Sequence, residues 1–237
     1  MANGAAEQTV CCLCGDPIPT DPPDDGNALS MDHVPPKQFY PKEVRTSQNL
    51  NLWSVPTHKR CNGDYRKDEE YFYHAVFPLV RGGNPTMGQT VHRDLMRRRA
   101  KPQTPAMIRS LMKGIATVSD GGIHLPPGIL RFDLDAYRIQ RVVIKIAQGL
   151  FSMDQQRCIS AQTCRDIRLC EGEADVPEFY QLSWRGVDSK YVDPGVFSYR
   201  HCEFDNLHLF SMLFWEAFLF CLAFEDPKAI ASQGIQQ

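Results

Sequence analysis

The sequence predicts an α+β protein, and three features carry that expectation. Residues 28–76 read as strand, loop, strand and helix behind a close pair of cysteines. The stretch DAYRIQRVVIKIAQGLF places Ile139, Val142, Val143, Ile146, Ala147 and Leu150 on one stripe of a helix. From Phe179 to Phe224 the chain carries the aromatic and β-branched runs FYQLSW, VFSYRHCEF and HLFSMLFW, which suit an antiparallel sheet.

In chain order, DPIPTDPPDDGN (residues 16–27) holds Pro, Asp and Gly too densely for a regular element and reads as an exposed loop. Ala28 to His33 is extended, Pro35 to Gln48 is a second irregular connection, and Asn49 to Pro56 alternates as a short strand. After Cys61 and Asn62 the period becomes helical, with Tyr65, Glu69, Phe72 and Val76 at intervals of four and three. Gly82, Gly83, Asn84 and Pro85 punctuate the chain and set two expected units, residues 1–82 and 83–237. Thr86 caps a basic helix that ends near Ala100, and Thr104 with Pro105 opens another that Gly114 stops. Ile115 to Leu125 reads as a hairpin around Asp120-Gly121-Gly122.

The 237 residues are 43% hydrophobic and 23% charged, enough to bury a core and unlike a disordered, collagenous or coiled-coil chain. A formal net charge of -2 gives no global attraction to nucleic acid, so any such affinity must come from a local patch. Nine cysteines is an odd number, and three crowd into VCCLCG (Val10 to Gly15), which suits metal ligation and a reducing compartment better than a disulfide framework. The opening MANGAAEQTV has neither the basic nor the apolar region of a signal peptide, so a cytoplasmic protein is expected. Leu207 to Phe224 is strongly apolar but contains His208 and Glu216 and falls short of the ~20 residues of a spanning helix, so no membrane partner is expected.

The chemistry concentrates in one ordered series: C-x-x-C (Cys11, Cys14), then Asp32-His33, then Asn49 and Asn51, then H-x-x-C-N (His58, Cys61, Asn62). Joint order gives it specificity, since each pair alone is weak. The series resembles the HNH endonuclease family, the zinc-bearing ββα-metal nucleases, over about Cys11 to Phe72. The expected fold is thus an N-terminal zinc-bound ββα-metal module followed by a helix plus antiparallel-sheet domain of unknown role. Structural Zn²⁺ takes four soft or borderline ligands, commonly two from each of two short loops. Cys11, Cys14, His58 and Cys61 meet that spacing, and Cys12 is the spare thiol. In the family the second pair is usually C-x-x-C; His58 is alternatively the last His of the signature, with Cys61 simply buried.

The resemblance implies a metal-dependent endonuclease that hydrolyses phosphodiester bonds. His33 would be the general base, and Asp32, directed to the other side of the strand, would ligate a catalytic Mg²⁺ or Mn²⁺ with Asn62. The family's middle Asn holds the imidazole; Asn51 or Asn49 would serve, with Asn51 preferred because it lies nearer the VP-x-H-x-x-C-N stretch. Lys37, Lys42, Arg45, Lys59, Arg60, Arg66 and Lys67 face only Glu43 and Asp64 in the same stretch, and Lys37, Lys59, Arg60, Arg66 and Lys67 are the expected nucleic-acid contacts, DNA before RNA. Arg93, Arg97, Arg98, Arg99 and Lys101 form a second basic cluster, read equally as a phosphate contact or a solvated helix face. A single-site nuclease must dimerise or act twice to cut both strands, so a homodimer or partner protein is in view. The motif context is similar to bacterial HNH proteins, some of them in restriction or phage-defence settings.

A rival reading keeps the zinc knuckle without the enzyme, as a nucleic-acid or protein binding module; a third, a redox pair at Cys11 and Cys14, requires that pair to be metal-free. Asp68-Glu69-Glu70 reads as helix surface, Cys158, Cys164 and Cys170 as core or incidental thiols, and His74, His92, His124, His201 and His208, with no partner at metal-ligand spacing, as core or surface residues. Trp215 and Phe218 read as sheet packing.

Overall fold

The computed structural model describes residues 9–77, 80, 85–98, 104–118, 121–122, 124–126, 131–170 and 173–226. Its elements mix helices with antiparallel sheet, as expected of an α+β chain. In the first third, β1 (Leu29–His33) pairs antiparallel with β2 (Ser54–His58), Asp32 lying opposite Val55 and His33 opposite Ser54. Helix α2 (Lys59–Val76) follows β2 directly. The second strand sits later than Asn49–Pro56 suggests and contains Pro56, which a ladder of only two strands tolerates because each strand is an edge. The connection 35–48, read as irregular, holds α1 (Lys42–Ser47); Pro41 stands at its N-cap, where a missing N–H costs nothing.

Beyond the Gly82–Asn84 punctuation, which lies outside the described residues, come α3 (Pro85–Arg98) and α4 (Thr104–Lys113). Ile115–Ala116 (β3) pairs with Arg131–Phe132 (β4), and an isolated bridge joins Val118 to His124; Asp120 of the expected turn lies outside the described residues. Helix α5 (Ala136–Gln155) is capped by Asp135, whose side chain accepts from Arg138 N at 3.2 Å. The last stretch is a five-stranded antiparallel sheet in the order β5 (Cys164–Cys170), β9 (Phe218–Glu225), β8 (Leu207–Phe214), β7 (Phe197–Phe204), β6 (Lys190–Asp193). FYQLSW, expected in the sheet, instead supplies α6 (Glu178–Ser183), a short helix that buries Tyr180 on the back of the sheet beside Cys170, Leu209 and Cys221. Its aromatic residues need an apolar surface, and one face of a short helix meets that need as well as a strand does.

One core spans both expected units. Val34, Phe39, Tyr40, Phe72 and Phe77 from the first join Val142, Val143, Ile146 and Leu150 of α5 and Phe197, Phe214 and Trp215 of the sheet. The rings interlock: Phe39 stacks on Phe72 at 5.0 Å, Phe77 meets Trp215 edge-on at 4.2 Å, and Trp215 Nε1 donates to the Phe39 carbonyl at 3.2 Å. Trp215 is wholly buried at the β8–β9 turn, with φ 51°, and packs as expected. Truncating a buried ring of this kind costs about 3–5 kcal/mol, so the contact between the two parts is strong. Among the described residues, no helix is long and apolar enough to cross a membrane.

Candidate functional site

The chain from Val10 to Pro17 closes a tight knuckle. An isolated bridge joins its two ends, Gly15 N donates to the Cys11 carbonyl at 2.8 Å, and Gly15 adopts φ 80°, where a side chain would be strained. Cys12 N donates to the Pro56 carbonyl at 3.0 Å and pins the knuckle to β2. His58 ends that strand and Cys61 lies on the first turn of α2, so two short segments deliver all four groups to one point. The ligand atoms of Cys11, Cys14, His58 and Cys61 lie within 4.8 Å of one another, close enough to hold a metal ion. Cys14 Sγ is 3.4 Å and Cys61 Sγ 3.8 Å from His58 Nδ1, while His58 Nε2 bonds the Pro17 carbonyl at 3.2 Å, fixing which nitrogen faces the cluster. Burial pushes the Cys14 thiol up to about 12 and raises Cys61 as well. Thiols raised by burial gain from a cation that stabilises their thiolates, and three thiolates with one neutral imidazole suit zinc. Cys12 is buried in the core and is not one of the four.

A second cluster lies between β1, α2 and α5. Strand alternation sends Ser30 and Asp32 toward the helices and leaves Met31 exposed on the other face. Lys145, 2% exposed on α5, places its ammonium 2.7 Å from Asp32 Oδ2, against Glu69 Oε1, and 3.4 Å from Asn62 Oδ1. Asn62 also donates from Nδ2 to Ser30 Oγ at 3.4 Å. Burial lifts both carboxyls above their ordinary values although Lys145 pulls each down; the ammonium, penalised by burial, is raised on balance by Asp32 and Glu69. Asp32 and Asn62 thus converge on one point. Lys145, however, stands at the convergence point, and one ammonium between two carboxylates leaves the cluster net negative. Asp68, the residue before Glu69, accepts from Arg138 Nε at 2.6 Å and from Arg141. Asp68 and Glu69 are therefore buried ion-pair partners of α5 rather than helix surface.

His33 is half-buried, and its Nδ1 is enclosed with no hydrogen-bond partner. Asn51, exposed in the loop before β2, does not bond that nitrogen, and Asn49 occupies a left-handed turn at φ 48°. Of the expected nucleic-acid contacts, Lys59, Arg60, Arg66 and Lys67 lie exposed along α2, with Lys59 paired to Asp25 at 2.5 Å, whereas Lys37 is exposed on a 3-10 turn before α1. His201 and His208, read as core or surface residues, form a chain: Asp154 Oδ2 to His201 Nδ1 at 2.9 Å, His201 Nε2 to His208 Nδ1 at 3.2 Å, and His208 Nε2 to Asp226 Oδ2 at 3.2 Å. Cross-strand pairing of β7 with β8 brings together two residues that sequence spacing keeps apart.

Sequence reasoning missed Lys145, Glu69 and the α5 arginines. The available signal was Lys145 itself, a cation among Val142, Val143, Ile146 and Ala147, whose position on a buried helix demands a counter-charge. The chain matches no family model, no curated protein and no solved structure.

Proposed function

We propose that this chain is an HNH-type endonuclease, a phosphodiester hydrolase acting on nucleic acid, DNA before RNA, on a scaffold held by structural zinc at Cys11, Cys14, His58 and Cys61. The observation that carries this reading is the convergence of Asp32 from β1 and Asn62 from the first turn of α2 on one point beside the Cys/His cluster. His33, next to Asp32, takes the proton from the attacking water, which needs a neutral imidazole. The oxygens of Asp32, Asn62 and Glu69 are the donor type that Mg²⁺ or Mn²⁺ prefers. As arranged they do not fit a divalent cation, because the Lys145 ammonium holds their common position. That obstruction favours a second reading, a zinc-stapled binding module in which the cluster is structural.

Cleavage decides between them. Zinc-loaded protein and its His33→Ala variant are incubated with plasmid and linear DNA, with and without Mg²⁺ or Mn²⁺. Cutting by the first and not by the second is the expected result. Binding by both without cutting would refute the enzyme and leave the module. Zinc content near one equivalent is expected in either case and would eliminate a redox role for Cys11 and Cys14.

A further inference from the structure

Two basic clusters that the sequence holds about fifty residues apart meet in one concavity. Lys37 and Gln38 from the 3-10 turn, Lys42 and Arg45 from α1, and Arg97 and Arg98 from the end of α3 line a cavity of about 460 Å³. Two of the cations are held in place. Arg98 is 8% exposed, lies over the Tyr73 ring at 3.9 Å, and donates to Asp94 Oδ2 and to the Gln38 carbonyl, each at 2.7 Å. Arg45 donates from Nε to the Tyr40 carbonyl at 3.1 Å.

Compensating charge is scarce. Asp94 is the carboxylate that pairs with this group, and Arg97 and Arg98 share it while Tyr73 also donates to it at 2.6 Å. Glu43, on α1 itself, is taken by Arg93 at 2.9 Å. Five cations against one carboxylate leave an excess of four. Held guanidinium groups beside exposed ammonium groups attract an anion, and phosphate is the anion for which arginine forks and lysine point charges are both suited.

We propose that this cavity is a binding subsite for the phosphate backbone of a nucleic-acid strand. The six lining residues include no aromatic ring on which a base could stack, so the contact positions the strand without reading sequence. Gln38 connects it to the cluster already described: its carbonyl holds Arg98, and its side-chain amide donates to Glu69 Oε2 at 3.3 Å. The cavity and the Asp32–Lys145–Glu69 cluster thus share Gln38 as their link. The inference rests on the reading of the chain as a nucleic-acid protein, and it does not require cutting.

The test uses full-length zinc-loaded protein without added Mg²⁺ and a fluorescent 20-base-pair duplex read by anisotropy across a salt series. A Lys42→Ala/Arg45→Ala variant, with its fold checked by circular dichroism, is compared with wild type. Lys190→Ala removes a distant cation paired with Asp154 at 2.6 Å and serves as control. Losing two phosphate contacts weakens binding about 60-fold at 0.1 M salt and lowers the salt slope by about 2; the control stays within twofold. Lys37→Ala, an exposed change that leaves α1 untouched, shows about half the slope change and guards against local misfolding. Equal affinity in wild type and the cavity variants, or an equal loss in the Lys190 control, overturns the subsite and leaves the nucleic-acid reading standing. No binding of duplex, single strand or RNA by wild type overturns both. If inorganic tripolyphosphate binds wild type and not the variants while duplex binding is unchanged, the site takes free phosphates and the backbone assignment fails. Duplex binding lost in the variants of a protein that never cuts supports the subsite and refutes only the nuclease.

Discussion

Replacing Lys145 by Met keeps most of the side-chain volume and removes the charge, which isolates what the ammonium does. In the native protein it is 2% exposed and touches Asp32, Glu69 and Asn62. Removing one partner of a buried ion pair costs about 3–5 kcal/mol, because the remaining charge is stranded without solvent. Here two carboxylates are stranded together, so the upper part of that range applies. For a chain of this length each kcal/mol moves the melting temperature by roughly 2–4 °C, which gives a fall of about 10–20 °C at neutral pH. The pH dependence adds a sharper signature. Burial raises the folded-state values of Asp32 and Glu69, so the native state binds more protons than the unfolded one, and stability falls as pH rises from the ordinary carboxylate range through the raised values. Lys145 pulls both values down; without it they climb further and the loss extends to higher pH. The variant should therefore lie closest to wild type in mild acid and furthest from it at neutral pH. Calorimetry across that range reads both quantities. A variant within about 1 kcal/mol of wild type at pH 7, or one that is worse in acid, would refute the buried-triad argument.

Further outcomes are expected elsewhere. Cys14→Ser or Cys61→Ser should abolish zinc retention and unfold at least the part around β1, β2 and the start of α2, because metal binding and folding are coupled there; an unchanged melting profile would remove these residues from the ligand set. Gly149→Ala should destabilise by about 1–3 kcal/mol from overpacking, despite the better helix propensity of Ala, since a Cβ there would stand 2.5 Å from Val34 Cγ2; chemical denaturation measures it, and a gain in stability would mean α5 can move away from β1. Burial lowers the His208 value below the ordinary 6.5, so the unfolded chain takes up the proton first and stability is lost as pH falls below that point. This loss is at most about 1.4 kcal/mol per pH unit. His208→Gln should flatten the melting-temperature profile between neutral pH and mild acid, and an unaltered profile would exclude His208 as its source.

What was legible in the sequence is what depends on local spacing. The C-x-x-C and H-x-x-C pairs set the four ligand groups because two residues between ligands fit one knuckle, and α5 was readable because Val142, Val143 and Ile146 repeat at helical intervals. Local spacing failed where partners come from distant parts of the chain. Asp32 and Asn62 were read as ligands of a cation; that a side chain 83 positions beyond Asn62 would supply the ammonium is a tertiary fact. The His201–His208 contact depends on the β7–β8 register, and the α6 helix depends on an apolar surface that only the folded sheet provides. For Arg97 and Arg98 the sequence leaves a phosphate contact and a solvated face equally open, because Arg45 and Lys42 belong to another segment of the chain.

These long-range partners also explain why the N-terminal part and α5 behave as one structural unit. The strand pair β1–β2 and the Cys/His cluster fix the start of α2, yet the cations that answer its buried charges, Asp68 and Glu69, are Arg138, Arg141 and Lys145 of α5. At the far end of β1, Gly149 permits the close approach of α5 to Val34, the residue that follows His33. The Cys/His cluster therefore sets the position of one end of the site and α5 sets the other, so the geometry at Asp32 and His33 depends on both. A change in either support should move those two residues before it unfolds the chain, which makes their environment, rather than the sulfur cluster, the sensitive reporter of whether the two halves are correctly joined.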